Sequence, residues 1–220
     1  MLKIICNFVG RLLGMSKNQN SIGDDDKFDY VDFVYQLKKK KKGLMSKRQY
    51  LAVAKKLSDV SPCNLLVFGL GEDSYLWNKI NKGGVTIFLE DCAEWIDKVN
   101  DGSLQVRHIS YNTKVVDHAE IGFDEEKLKL KLPEDVSNLE YDFIIVDAPL
   151  GHQPPRPFKG PGRMSSIYAA SKLLKSGGTA VVDDMGRLVE ETYAFHYFGE
   201  SNLTDMIEKK VGVFKTKLKC

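Results

Sequence analysis

The 220-residue sequence lacks any apolar run of the roughly 18 residues that a membrane-spanning helix needs. It also lacks closely spaced cysteine pairs, because its four cysteines are Cys6, Cys63, Cys92 and Cys220. This spacing excludes the usual zinc and thioredoxin-type motifs and favours a reducing compartment. A large net charge is absent as well, since 32 Lys and Arg face 30 Asp and Glu. We therefore expect no nucleic-acid partner and no transmembrane segment.

The composition is that of an ordinary globular protein. Hydrophobic residues make up 43% of the chain and charged residues 28%, which excludes a wholly disordered protein. The length suits one α/β domain with a substantial core but is short for two. With the cysteine spacing, these values predict a cytoplasmic location.

Residues 1–43 are expected to form an N-terminal helical and linker extension, followed by a single domain over 44–220. Apolar residues at helical spacing between Met1 and Met15 predict an amphipathic helix. We expect this helix to pack on the domain or to make weak peripheral contact with a membrane. A signal peptide is disfavoured because Arg11 interrupts the short apolar core.

The rest of the extension is polar, apart from one short predicted helix. A linker is expected over 16–26 and a helix over 28–37. The helix runs into Lys38–Lys42, which we interpret as a solvated helix end or loop.

From residue 46 onward, apolar strands alternate with helices. Strands are predicted over 64–68, 85–89, 105–109, 142–146 and 179–182, and helices over 48–57, 74–80, 93–99 and 164–174. Near-continuous apolar strands in such an order indicate a parallel sheet covered on both faces. Gly177-Gly178 is expected to end the last helix. Alternation over 211–217 predicts an antiparallel edge strand at the C-terminus.

A glycine-rich turn follows the first predicted strand. Gly69-Leu70-Gly71-Glu72-Asp73-Ser74 opens a helix, and Glu90 ends the next strand about twenty residues later. A carboxylate there can accept both hydroxyl protons of a ribose, so an adenosine-type ligand is expected at this edge of the sheet. Nicotinamide cofactors and S-adenosylmethionine share this arrangement. Ser74 in place of the third glycine favours S-adenosylmethionine, which has no pyrophosphate.

Several segments carry a family resemblance. They are Pro62–Gly71, Thr86–Glu90, Tyr141–Pro149, Pro161–Met164 and Val182–Asp184. The chain from about residue 44 resembles the plant glucuronoxylan 4-O-methyltransferase family and its relatives in xylan biosynthesis. The most specific part is Val-Asp-Ala-Pro at 146–149 followed by Pro-Gly-Arg-Met at 161–164.

The resemblance implies a Rossmann-like class I methyltransferase, an α/β fold with a mostly parallel seven-stranded sheet. It also implies S-adenosylmethionine as donor and a carbohydrate hydroxyl as acceptor. The plant proteins carry a Golgi membrane anchor, so Golgi association is the alternative to the cytoplasm. In this sequence Asp183 stands where relatives often have histidine, and the loop between Pro149 and Pro161 is more basic.

By this resemblance, one group of residues is expected to bind the donor. The group comprises Phe68, Gly69, Gly71, Ser74, Glu90, Asp91, Tyr111 and Asp147. The two glycines and Ser74 would lie along the methionine part of the donor. Glu90 would hold the ribose, with Asp91 and Tyr111 near the adenine.

Two carboxylates at neighbouring strand ends are the main catalytic candidates. Asp147 and Asp184 could take the acceptor proton, or both could hold a divalent metal ion that lowers the pKa of the acceptor hydroxyl. Asp183 is a weaker candidate because its side chain is expected to point to the other face. The unperturbed pKa of histidine would suit His152 as a general base, although a binding or incidental role is equally expected.

The acceptor is expected to contact the loop and helix that follow the fourth strand. The candidates are Pro149, Arg156, Arg163, Met164 and Tyr168. Arg163 at a helix start could bind a uronic acid carboxylate, or could brace Asp147 or Asp184 without touching substrate. Tyr168 could stack on a sugar ring or pack in the core.

The sequence thus predicts an S-adenosylmethionine-dependent O-methyltransferase for a sugar hydroxyl of a glycan, such as glucuronic acid or a related sugar. A small-molecule O-methyltransferase is the alternative among enzymes. From another class, a catalytically silent methyltransferase fold could act as an interaction module in polysaccharide assembly. A nicotinamide-dependent dehydrogenase is the most distant alternative.

Overall fold

The computed structural model describes residues 28–40, 45–150 and 160–217. The predicted N-terminal helix and linker, His152 and Arg156 lie outside these ranges. Within them, no helix combines the length and apolar character needed to cross a membrane.

A seven-stranded sheet forms the centre of the fold. Its strands are β1 Asn64–Phe68, β2 Val85–Glu90, β3 Gln105–His108, β4 Tyr141–Val146, β5 Leu174–Val182, β6 Leu203–Ile207 and β7 Val211–Lys215. The spatial order is β3-β2-β1-β4-β5-β7-β6. The first five strands pair in parallel, and β7 runs antiparallel to both β5 and β6. The predicted mostly parallel sheet with an antiparallel end is confirmed.

Helices cover both faces of this sheet. They are α1 Tyr30–Lys39, α2 Lys47–Ser58, α3 Ser74–Ile80, α4 Ala93–Val99, α5 His118–Ile121, α6 Glu125–Leu128, α7 Glu134–Ser137, α8 Met164–Leu173 and α9 Leu188–Phe198. Short 3₁₀ turns occupy Val115–Asp117 and Glu200–Asn202. Side chains alternate along β1, so Leu65 packs in one core and Leu66 in the other.

The helices α1 and α2 pack on the face of the sheet that contains Leu65. A capping box begins α2: the Ser46 hydroxyl accepts from the Gln49 amide at 3.1 Å, and the Ser46 amide donates to Gln49 Oε1 at 2.7 Å. Val34 and Leu37 bury α1 in the same core. The short helix predicted in the extension therefore packs against α2 and α3, while the domain boundary at residue 44 stays a prediction.

Two details at the C-terminal half differ from the expectations. Gly177-Gly178 does not end a helix, because α8 ends at Leu173 and both glycines lie within β5. The β4–β5 register shifts between Tyr141 and Phe143, and Gly177 takes φ +75° in this irregular stretch. The outermost antiparallel strand is β6, which the sequence analysis did not identify, and the predicted strand β7 lies inside it.

Candidate active site

The glycine turn brings the ends of three strands together. Gly69 takes φ +116°, and a Cβ at this position would lie 3.0 Å from the Cβ of Ala148. The Gly69 amide donates to the Leu89 carbonyl at 2.8 Å, and the Asp147 amide donates to the Phe68 carbonyl at 3.0 Å. The turn can therefore lie directly against the loop after β4 only because residue 69 has no side chain.

A cavity of about 400 Å³ lies over these strand ends. Its lining consists of Met45, Val67, Gly69, Leu70, Gly71, Glu72, Asp73, Ser74, Trp77, Glu90, Trp95, Ile145, Asp147 and Ala148. Four of these residues are acidic, and none of the described lining residues is Lys, Arg or His. The charge of the cavity wall therefore favours a cationic ligand over an anionic one.

Glu90 fixes the shape of the cavity wall. Its carboxylate accepts hydrogen bonds from the backbone amides of Leu70, Asp91 and Cys92 at 3.0–3.1 Å. Burial raises the pKa of Glu90, while these backbone hydrogen bonds lower it. The acid that ends β2 thus ties the glycine turn to the start of α4.

Five of the predicted donor residues line the cavity, namely Gly69, Gly71, Ser74, Glu90 and Asp147. Phe68, Asp91 and Tyr111 lie outside this lining. The Phe68 side chain packs in the core on the opposite face. The Tyr111 hydroxyl lies 2.9 Å from the Ser166 hydroxyl on α8. A donor contact for these three residues stays a prediction.

The sequence motifs did not indicate the aromatic and apolar residues of the cavity wall. Trp95 on α4 donates from its indole nitrogen to the Leu70 carbonyl at 2.8 Å, and Trp77 on α3 is buried. Met45 reaches the cavity from the turn before α2. Helical periodicity marks such residues as inward-facing but does not distinguish a core position from a cavity wall.

Arg163 connects the carboxylates at the ends of β4 and β5. Its Nη2 lies 3.0 Å from Asp147 Oδ1 and 3.1 Å from Asp184 Oδ2. Its Nη1 donates to the Asp183 carbonyl at 2.8 Å, and its Nε donates to the Pro149 carbonyl at 3.1 Å. Only 4% of the side chain is exposed. Arg163 thus makes the contacts that a bracing role requires, and both this role and a contact between Arg163 and substrate stay predictions.

Asp183 joins this ion-pair network, contrary to the expectation that its side chain would point away. Its Oδ2 lies 3.7 Å from Arg163 Nη1, and its Oδ1 lies 3.5 Å from Lys210 Nζ. The strand β5 ends at Val182, and Asp184 takes φ +63°. Strand alternation no longer applies beyond Val182, so both carboxylates reach the same network.

The predicted metal site at Asp147 and Asp184 does not fit a divalent ion as arranged. The guanidinium of Arg163 lies between the two carboxylates, and Arg187 Nη1 contacts Asp184 Oδ2 at 2.8 Å. Among the residues that the structure describes, no group of three or more His, Cys, Asp or Glu side chains could hold a metal ion. These carboxylates are instead neutralised by arginine.

Asp147 combines a buried setting with access to the cavity. One of its oxygens pairs with Arg163, and 23% of its side chain is exposed. Burial and the neighbouring Asp183 and Asp73 carboxylates raise the pKa of Asp147 well above its usual range, against the lowering effect of Arg163. A carboxylate with a raised pKa is a stronger base than an ordinary aspartate, which suits a proton acceptor at a ligand cavity.

Two further candidates for acceptor binding, Met164 and Tyr168, lie on α8 and belong to the hydrophobic core. Met164 is fully buried, and the Tyr168 hydroxyl donates to Glu125 Oε2 at 3.0 Å. The ring of Tyr168 packs edge-on to Tyr197, with 5.3 Å between the ring centroids. These contacts agree with core packing of Tyr168, and stacking of its ring on a sugar stays a prediction.

The architecture is that of a class I methyltransferase. The MycE methyltransferase from the mycinamycin biosynthetic pathway, solved with Mg, S-adenosylhomocysteine and mycinamycin VI, superposes with a TM-score of 0.54 and 13% identity. The superposition covers 87% of this chain and 55% of that one. At this identity the likeness shows the fold alone, and it confirms the predicted fold class.

The family follows from the sequence match. Residues 49–129 and 116–214 match the family described as IRX15/IRX15L/GXM, and the chain belongs to this family. It is 39% identical over 168 residues to glucuronoxylan 4-O-methyltransferase 2 of Arabidopsis thaliana, covering 66% of this chain and 57% of the relative. It is 33% identical over 171 residues to arabinogalactan O-methyltransferase 2 of the same species, again covering 66% of this chain and 57% of the relative. The chain thus spans little more than half the length of these relatives.

Proposed function

We propose that this chain transfers a methyl group from S-adenosylmethionine to a hydroxyl of a glycan. One observation carries the proposal: a cavity at the carboxyl ends of β1, β2 and β4, which Asp147 faces and whose charged lining residues, within the described part of the chain, are all acidic. Membership of the IRX15/IRX15L/GXM family supports it.

The charge of the cavity selects among adenosine-containing ligands. S-adenosylmethionine carries a sulfonium and an ammonium cation against one carboxylate, whereas nicotinamide dinucleotides carry a pyrophosphate. Four acidic residues line the cavity without a described basic residue, so a pyrophosphate would be repelled and a sulfonium attracted. Glu90, at the end of β2, is the proposed contact for the donor ribose.

The acceptor is inferred from the relatives. Two of them are named for O-methylation of glucuronoxylan and of arabinogalactan, which are both polysaccharides. A sugar hydroxyl has a high pKa, so its proton must leave during or after attack on the methyl carbon. A glucuronic acid hydroxyl fits the first relative, and a neutral sugar hydroxyl is the alternative.

Asp147 is the proposed proton acceptor. The acceptor oxygen forms a bond to the methyl carbon as the carbon–sulfur bond breaks, with that electron pair going to sulfur. The hydroxyl proton passes to the Asp147 carboxylate. Arg163 holds this side chain in place through the hydrogen bond from its Nη2 to Asp147 Oδ1. No step is assigned to a divalent ion, because the Arg163 guanidinium lies between the two candidate ligand carboxylates.

Two measurements test the proposal. The first is calorimetric titration of the full chain with S-adenosylmethionine and with NAD. The second is incubation with labelled S-adenosylmethionine and defined xylan and arabinogalactan oligosaccharides, with linkage analysis of the product. Donor binding and methylated sugar support the proposal. No donor binding at millimolar concentration overturns it in favour of a silent interaction module, and turnover of small molecules alone overturns the glycan acceptor.

Removing the Glu90 carboxylate is expected to weaken donor binding. Glu90→Ala removes the expected ribose contact and the acceptor of the Leu70 amide, so affinity for S-adenosylmethionine should fall by about 1–3 kcal/mol. Glu94→Ala is the matched control, because Glu94 is exposed on the first turn of α4 and does not line the cavity. Equal affinities for the two variants in the titration would remove Glu90 from the donor site.

A further inference from the structure

We propose that the Asp73 carboxylate binds the ammonium group of the donor's methionine part, and that Tyr50 on α2 holds this carboxylate in position. The inference rests on the proposed donor, S-adenosylmethionine. It assigns a role to a charged residue of the glycine turn for which the sequence motif supplied none.

The Asp73 side chain is held between the turn and α2. Its Oδ2 accepts a hydrogen bond from the Tyr50 hydroxyl at 3.0 Å. On the other side, a Cβ added at Gly71 would lie 2.6 Å from Asp73 Oδ1. Because Gly71 has no side chain, the Asp73 carboxylate can lie over the turn, at the wall of the cavity.

The three other acids of the cavity differ from Asp73 in their contacts or their exposure. Glu90 accepts from backbone amides, Asp147 pairs with Arg163, and Glu72 is exposed. The side chains that hydrogen-bond to Asp73 are the Tyr50 phenol and the Trp77 indole, which are both neutral, so neither supplies a positive charge to the carboxylate.

A cation completes this environment. Burial raises the pKa of Asp73, which means that its charge lacks compensation within the protein. An ammonium group supplies that charge and donates hydrogen bonds of the stronger, charge-assisted kind. With Glu90 assigned to the ribose and Asp147 to the methyl group, Asp73 remains for the ammonium group of the donor.

Tyr50 is a positioning residue, because it acts on the ligand only through Asp73. It is fully buried on α2, and its ring packs against Trp77 with 5.9 Å between the centroids. Burial and the Asp73 charge raise the pKa of the Tyr50 phenol, so its hydroxyl stays protonated and donates to Asp73. The packing thereby holds Asp73 Oδ2 at the cavity wall.

A pair of ligands isolates this contact. S-adenosylhomocysteine carries the ammonium group, whereas 5′-methylthioadenosine has the same adenosine and thioether without the amino acid part. In Asp73→Asn, affinity for S-adenosylhomocysteine is expected to fall about 10- to 100-fold, the range for hydrogen bonds to charged groups. Affinity for 5′-methylthioadenosine should change less than about twofold, which also shows that the adenosine site is intact.

Tyr50→Phe provides a second variant, with Tyr75→Phe as its matched control. Tyr75 on α3 also loses its hydroxyl hydrogen bonds, to the Val99 carbonyl and from the Asp101 amide, but does not line the cavity. Tyr50→Phe should weaken S-adenosylhomocysteine binding several-fold, because Asp73 loses a donor that positions it, and leave 5′-methylthioadenosine binding unchanged. Tyr75→Phe should alter neither.

The outcomes separate the inference from the function it rests on. If both ligands weaken equally in Asp73→Asn and Tyr50→Phe, or neither does, the ammonium assignment is overturned and the donor site stands. The ammonium assignment is also overturned, and the donor site stands, if the unaltered protein binds the two ligands with equal affinity. If the unaltered protein binds neither ligand, the proposed function fails and the assignment fails with it.

Discussion

Asp147→Asn is expected to lower kcat for glycan methylation by about 10²–10⁴-fold, the usual contribution of a general base, with little change in donor affinity. The asparagine oxygen can still accept the Arg163 hydrogen bond that Asp147 Oδ1 accepts at 3.0 Å, so the position of the side chain should be kept. What the variant loses is the ability to take a proton. The measurement is kcat together with calorimetric affinity for S-adenosylmethionine.

Asp142→Asn is the matched control for this prediction. Asp142 lies at the other end of the same strand, where it accepts from the Asn64 amide and pairs with Lys175 Nζ at 2.8 Å. Turnover of the control should be near that of the unaltered protein. Turnover of Asp147→Asn at the control level would exclude Asp147 as the base.

The pH dependence of kcat gives a second readout of the same residue. Because burial and neighbouring carboxylates raise the pKa of Asp147, it stays protonated to a higher pH than an ordinary aspartate. A protonated base is inactive, so kcat should rise with pH through this raised pKa. In Asp147→Asn this rise should be absent from whatever activity remains.

The candidate catalytic and binding residues at the carboxyl ends of the strands could be predicted because each follows a short apolar run in the sequence. The apolar runs at 64–68, 85–89 and 142–146 fall within or coincide with β1, β2 and β4. Parallel strands bring their carboxyl ends to one edge, so the turn after β1, Glu90 and Asp147 must lie close together. The cavity lined by Gly69, Glu90 and Asp147 agrees with this reasoning.

What the sequence did not reveal depends on contacts between distant residues or on local breaks in regular structure. Tyr50 and Asp73 are 23 residues apart and meet only because α2 packs beside α3. The change of direction at Asp184, with φ +63°, placed Asp183 in a network that strand alternation would exclude. The β6 strand is only partly buried, which leaves little apolar pattern to detect.

Arg163→Met is expected to destabilise the fold by about 3–5 kcal/mol, the usual cost of removing one partner from a buried ion-pair network. The variant leaves Asp147, Asp183 and Asp184 close together without the guanidinium that contacts all three. Arg163→Lys should recover only part of this loss, because an ammonium group cannot reproduce the contacts of three guanidinium nitrogens. Urea denaturation followed by circular dichroism gives the free energy of unfolding.

The control and the pH dependence distinguish this charge effect from a packing effect. Arg107→Met breaks an exposed pair with Asp135, for which about 1 kcal/mol or less is expected. Protonation relieves the repulsion among the three carboxylates, so the deficit of Arg163→Met should shrink as the pH falls. A deficit that is equal at acidic and neutral pH, or no larger than that of the control, would mean that Arg163 does not hold these carboxylates together. The bracing role assigned to it would then be wrong, and the Asp147 base would need another support.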